Sequence, residues 1–192
     1  MQLFHGSRTF GIEVLEPRLA DHDRPYVYTT TNRVVALLYL CNAVEKPYYW
    51  FPYGFNRDGV PVYHELYPNA LFEVSEGISG CIYEVEADES QVLPFKNIPV
   101  ARLLTEPAAV TKCTPVENAY TLIRELIDRG ELIVDRFEDK TPEQLDWWYN
   151  ALCEELRQKN MKDIPECSYA QFVQRKLPEV WKRYMQSESS KK

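Results

Sequence analysis

The sequence predicts an α+β protein, with a mostly β body first and a helical appendage from about residue 116. Three observations carry that expectation. Short runs rich in Val, Tyr and Thr, punctuated by Gly and Pro, recur through the first half of the chain, as strands and their turns do. One segment there, from Asn32 to Cys41, changes to helical spacing. Beyond residue 116 the apolar residues recur every three or four positions behind helix-start signals.

The elements follow in order. Strands are expected at Leu3–His5, Tyr26–Thr29, Val62–Glu65, Ala70–Val74, Gly80–Val85, Val100–Leu104 and Ala108–Cys113. Around Gly80–Val85, Ile82, Glu84 and Glu86 alternate with Cys81, Tyr83 and Val85, the period of two that a pleated strand imposes. Between the second and third strands, Val34, Val35, Leu37, Leu38 and Cys41 share a helical face, and Thr31 is placed to cap its first turn. Lys46 to Gly54 is an aromatic loop bracketed by Pro47 and Pro52; its rings suit a surface loop, a lid or a substrate-contacting segment. Tyr120, Ile123, Leu126 and Ile127 form the stripe of a first C-terminal helix. Thr141, Pro142 and Gln144 start a second, with N-cap, N1 and N3 residues in agreement, and Leu145, Trp148, Leu152 and Leu156 follow on one face. A third begins near Ser168 and offers Phe172, Val173, Val180 and Trp181 to a core, with Pro178 as an interruption. Ser187 to Lys192 reads as a frayed tail.

Composition narrows the function classes. The chain has 192 residues, 45% of them hydrophobic and 13% aromatic, enough to bury a core. A formal net charge of −7 argues against a broad nucleic-acid footprint. No apolar h-region opens the chain and no run reaches the roughly 18 apolar residues of a membrane span, so a cytoplasmic protein is expected. Cys41, Cys81, Cys113, Cys153 and Cys167 are scattered without a Cys-x-x-Cys pair, which predicts reduced thiols. His5, His22 and His64 are too dispersed to suggest a metal, and none is expected.

The residues that carry chemistry come in a fixed order: His5-Gly6-Ser7-Arg8 at a strand end, Tyr28 at the end of the next strand, Tyr39 three turns into the following helix, and Glu106 at the start of a later strand. Cleaving a nicotinamide–ribose bond needs stacking surfaces for a flat leaving group and backbone amides for its carboxamide. It also needs a reader of ribose hydroxyls and a carboxylate beside the developing cation. Tyr28 and Tyr39 supply rings, Gly6 bare backbone, His5 a ring nitrogen and Glu106 the carboxylate.

In these residues the chain resembles the ADP-ribosyltransferase superfamily, in its His-Tyr-Glu branch typified by poly(ADP-ribose) polymerases and diphtheria toxin. His5-Gly6-Ser7, continued by Arg8, is similar to the first motif; Tyr28 followed by Ala36 and Tyr39 to the second; Thr105-Glu106-Pro107 leading into Ala108 to the third. The resemblance covers roughly residues 1–125 and implies a split-sheet catalytic domain there, with 126–192 as a helical extension. It implies NAD as substrate, with catalytic His5, Tyr28 and Glu106, and an NAD-binding set of His5, Gly6, Ser7, Arg8, Tyr28, Thr29, Ala36 and Tyr39. Arg8, Arg18, Arg24 and Arg33 surround these motifs as candidates for the pyrophosphate. Polymerases commonly carry a serine where Ala36 stands, so one hydrogen bond of about 1 kcal/mol to the nicotinamide amide is missing. Glu65, Glu73, Glu84 and Glu117 rival Glu106 for the third motif.

The acceptor is then a protein, a nucleic acid or water, water giving an NAD glycohydrolase. Three other readings remain open. One is an inactive module of the same fold that binds NAD, ADP-ribose or a protein. Another is an RNA 2′-phosphotransferase, which the negative charge disfavours. The third is a partner-binding role for the C-terminal helices, through Trp147, Trp148 and Tyr149.

Overall fold

The computed structural model describes residues 1–19, 24–41, 53–95 and 98–189. The protein is mixed α/β, with a large antiparallel sheet and C-terminal helices. The chain divides into two compact units, each made of two stretches: Met1–Cys41 with Val74–Leu132, and Asn42–Glu73 with Ile133–Lys192. The expected division was a single cut between 125 and 126; the observed one is discontinuous for two reasons. Ile133–Asp135 (β10) pairs with Pro61–His64 (β5), which ties the middle of the chain to its end. The helix Ala119–Asp128 (α3) stays with the first unit, where Ala119, Ile123 and Leu126 are buried.

The first unit is built on seven antiparallel strands: Gln2–Ser7 (β1), Val14–Leu15 (β2), Val27–Thr30 (β3), Gly80–Glu86 (β6), Val92–Phe95 (β7), Ile98–Leu104 (β8) and Ala108–Val116 (β9). Their order across the sheet is β2-β9-β6-β1-β3-β8-β7. Leu3, Leu15, Val27, Val85, Leu104 and Ala108 form a buried cluster on one face. On the other face Arg33–Cys41 (α1) lies against β1, with Val35, Leu37 and Leu38 fully buried. Asn32 caps this helix, not the expected Thr31: the Asn32 Oδ1 accepts from the amides of Val34 and Val35 at 2.9 and 3.2 Å. Val92–Phe95 escapes a sequence reading because Pro94 argues against a strand, yet an edge strand tolerates the missing N–H.

The second unit has a three-stranded sheet, in order β10-β5-β4, where β4 is Tyr53–Phe55. Its helices are Pro142–Gln158 (α4), Ser168–Lys176 (α5) and Pro178–Ser189 (α6). The capping box at Thr141 and Gln144 is formed, and Pro178 separates α5 from α6 as its spacing predicts. Leu152, Leu156, Phe172, Val173, Val180 and Tyr184 make the helical core. Lys46 to Pro52 of the aromatic loop lie outside the described residues.

Ala70–Val74, expected as a strand, is instead the helix Ala70–Ser75 (α2). The buried Glu65 carboxylate accepts the Leu71 amide at 3.0 Å, satisfying a first-turn donor that a local pattern cannot foresee. Ala70, Leu71 and Val74 are buried while Phe72 and Glu73 are exposed, a helical rather than an alternating arrangement.

Candidate functional site

The site grows from an opening in the sheet. β1 pairs with β6 at every residue from Gln2 to Ser7. On its other edge it pairs with β3 only at Phe4 and Thr30, so His5, Gly6 and Ser7 have no partner in register there. The His5 side chain bridges the opening: its Nδ1 lies 2.7 Å from the Tyr28 carbonyl oxygen. A carbonyl only accepts, so Nδ1 carries the proton and the neutral ring presents Nε2 as an acceptor. Nε2 has no protein partner among the described residues, and His5 is half-buried. Burial is the main cause holding the His5 imidazole below its ordinary pKa; the bond to Tyr28 opposes it, and the Arg18 guanidinium adds to it.

His5 lines a cleft of about 100 Å³ with Ser7, Glu16, Arg18, Tyr26 and Tyr28, floored by the apolar Ile12, Leu15 and Val27. Backbone hydrogen bonds between Arg18 and Tyr26, 2.9 and 3.1 Å long, hold one wall of it. Tyr26 meets Tyr28 edge to face with centroids 6.4 Å apart, and the Arg24 guanidinium stands 5.0 Å from the Tyr26 ring centre.

The predicted residues fall into distinct groups. His5, Ser7 and Tyr28 are brought together at the cleft. Strand alternation puts Tyr28 and Gly6 on the face covered by α1, the helix that carries the half-buried Tyr39. Gly6 was expected to leave bare backbone for a ligand, but on that face α1 takes the space. A Cβ at Gly6 would stand 1.9 Å from the Ala36 carbonyl oxygen and 2.8 Å from the Leu40 nitrogen. Ala36 is itself fully buried. Thr29 is buried with its hydroxyl donating to the Arg102 carbonyl at 3.0 Å, so that group is committed to the neighbouring strand. The Arg8 guanidinium reaches 3.5 Å from the Cys41 carbonyl oxygen, at the C-terminal end of α1 where a cation is favoured.

Glu106 is exposed in the turn between β8 and β9 and does not line the cleft. Its rivals are placed elsewhere too. Glu84 is buried, accepts from the Gln2 amide at 2.8 Å and pairs with Lys112 at 3.1 Å. Glu65 serves the Leu71 amide in the second unit. Among the described residues the carboxylate that lines the cleft is Glu16, which sequence reasoning missed. Its only signal was the apolar alternation of Ile12 and Val14 before Leu15, and β2 is too short for that to stand out.

All five cysteines are free thiols. Among the described residues no group of three or more His, Cys, Asp or Glu side chains is placed to hold a metal, and no helix is long and apolar enough to cross a membrane. Comparison with protein-family models, with curated proteins and with solved structures finds no match.

Proposed function

We propose that the chain is an NAD-dependent ADP-ribosyltransferase or NAD glycohydrolase whose site is the opening between β1 and β3. The observation that carries this is His5: it is pinned by Nδ1 to the Tyr28 carbonyl where the two strands part, it lines the cleft, and its neutral ring leaves Nε2 as a hydroxyl acceptor. In this reading Nε2 accepts a ribose hydroxyl of NAD in the cleft, and the nicotinamide passes through the opening to the ring faces of Tyr28 and Tyr39 on the α1 side. Arg18, with Arg24 beside it, meets the pyrophosphate. Breakage of the bond between ribose C1′ and the pyridine nitrogen sends the electron pair to nicotinamide and leaves a cationic sugar. A cleft carboxylate then stabilises that cation. Its lining of the cleft supports Glu16 in this role, with Glu106 as the alternative from the sequence motif.

Incubating the purified protein with NAD and measuring free nicotinamide, with and without cell extract as acceptor, tests the proposal. Release of nicotinamide is expected. No release with any acceptor, together with no change in thermal stability on adding NAD, overturns it.

The exposed position of Glu106 favours a second reading, a non-catalytic module of the same fold that binds NAD or ADP-ribose. Saturable NAD binding without nicotinamide release would select it.

A further inference from the structure

The second unit holds a histidine arrangement that the cleft chemistry does not use. The His64 Nδ1 lies 2.8 Å from the Asp135 Oδ2, across the parallel pair of β5 and β10 that sets the two residues in register. A carboxylate accepts, so Nδ1–H donates, and in the neutral ring the outer nitrogen, Nε2, carries the lone pair. Nε2 has no hydrogen-bond partner among the described residues, and the His64 side chain is 25% exposed. The residue facing it is Gly54, whose missing side chain leaves room: a Cβ there would stand 3.4 Å from Nε2.

Two further features define what this nitrogen can receive. The first is charge. The Lys140 ammonium is buried and lies 2.9 Å from the same Asp135 oxygen, while also donating to the Asp135 carbonyl at 2.7 Å. Lys140 and Asp135 therefore compensate one another, and the pair presents no net charge that would call for an ion. A lone pair backed by a carboxylate also repels anions. Both points favour an uncharged hydrogen-bond donor. The second feature is shape. The Trp148 ring centre is 5.4 Å from that of His64, and Trp147, 4.9 Å further along, is 63% exposed. An exposed indole beside a ring acceptor selects a flat partner.

We propose that His64 Nε2 is the acceptor atom of a second ligand site, one that takes an uncharged heteroaromatic ring bearing an N–H donor, of the nucleobase type, against Trp147 and Trp148. Such a ring comes either as a free nucleoside or as an unpaired base of a single strand. Base stacking on aromatic side chains does not require the clustered cations that backbone binding needs. The site does not depend on NAD chemistry in the first unit.

The experiment is nitrogen-15 NMR of the histidine rings together with tryptophan fluorescence on the full chain. Guanosine, adenosine and uridine are titrated separately, and then a short single-stranded oligouridylate and oligoguanylate. The expected result is a saturable shift of the His64 Nε2 resonance with quenching of Trp147. Saturation by a nucleoside assigns the free ligand; saturation by the oligonucleotide alone assigns the base of a strand. Gly54→Val, which covers Nε2, should abolish the shift, and Trp147→Ala, at an exposed position, should weaken binding at least tenfold. If Gly54→Val does not fold, Trp147→Ala decides. A His64 resonance unmoved by every probe overturns the proposal, as does binding by both variants equal to that of the unmodified chain. Nicotinamide release from NAD, measured on the same variants, reports separately on the first unit.

Discussion

Gly6 and Ala36 come so close that a Cβ added to Gly6 would stand 1.9 Å from the Ala36 carbonyl oxygen. That approach seats α1 on β1, and it fixes the helix bearing Tyr39 over the strand bearing His5. The glycine of the His-Gly-Ser run therefore serves helix packing on one face, whatever its main chain does at the opening.

Gly6→Ala should destabilise the protein by roughly 3 kcal/mol, the upper range for forcing a methyl group into packed structure, because the atoms in the way are backbone and cannot rotate aside. Gly11→Ala is the control: its φ of +72° strains an alanine, but nothing stands within 4 Å of the new methyl. It should cost about 1 kcal/mol. Urea unfolding of both variants measures the difference, and equal losses would remove the packing role assigned to Gly6.

His5 should make stability fall on mild acidification. Its folded pKa is lowered, so the unfolded chain takes the proton first. The contribution is intact above the ordinary value of about 6.5 and is lost as the pH drops from there through the folded pKa. Subtracting the unfolding free energy of His5→Gln from that of the unmodified chain isolates this slope from the other histidines. The difference should be flat above about pH 6.5 and shrink below it; a difference that grows on acidification would mean the ring is charged in the fold.

The two carboxylates can be ranked by turnover. Glu16 lines the cleft and Glu106 does not, so Glu16→Gln should slow nicotinamide release at least a hundredfold, and Glu106→Gln by less than about threefold. Neither change should alter the melting temperature much, since both side chains are exposed. The opposite ranking would restore Glu106 to the role its motif suggests.

Lys140 should be expensive to remove. Its side chain is 1% exposed, and it donates to the Asp135 carbonyl and bonds the Asp135 carboxylate. Burial raises the Asp135 pKa, but the His64 and Lys140 hydrogen bonds outweigh it and hold the carboxyl below its ordinary range. Lys140→Met should cost about 3 kcal/mol, because it strands a partly buried carboxylate. Lys140→Met with Asp135→Asn should cost less than the two single losses added together. Additive losses in denaturant unfolding would show that the two groups act separately.

The strands at 3–5, 26–29, 62–65, 80–85, 100–104 and 108–113 were legible because each is an apolar or alternating run bounded by turn residues. The capping box at Thr141 was legible because its hydrogen bonds lie within four residues. α2 was not, since the group that satisfies its first turn is the Glu65 carboxylate rather than a local cap. β2, β4 and β10 are two or three residues long, too short to show a period, and exist because a neighbouring strand supplies their hydrogen bonds. His5 and Tyr28 were legible as strand residues because Leu3–His5 and Tyr26–Thr29 are apolar runs; they lie inside β1 and β3 and both line the cleft. Glu16 was missed because its place in the cleft depends on β2 meeting β9 across more than ninety residues of chain.

The sequence by itself determined the strand and helix periods, the caps of α4, and a β body ahead of C-terminal helices, all of which rest on interactions between near neighbours in the chain. Only the tertiary structure decided that α1 fills the face of Gly6, and that Glu16 rather than Glu106 lines the cleft. It alone also set His64 on Asp135. Each of these turns on a contact between distant segments, and a one-dimensional pattern carries no record of which edges will meet.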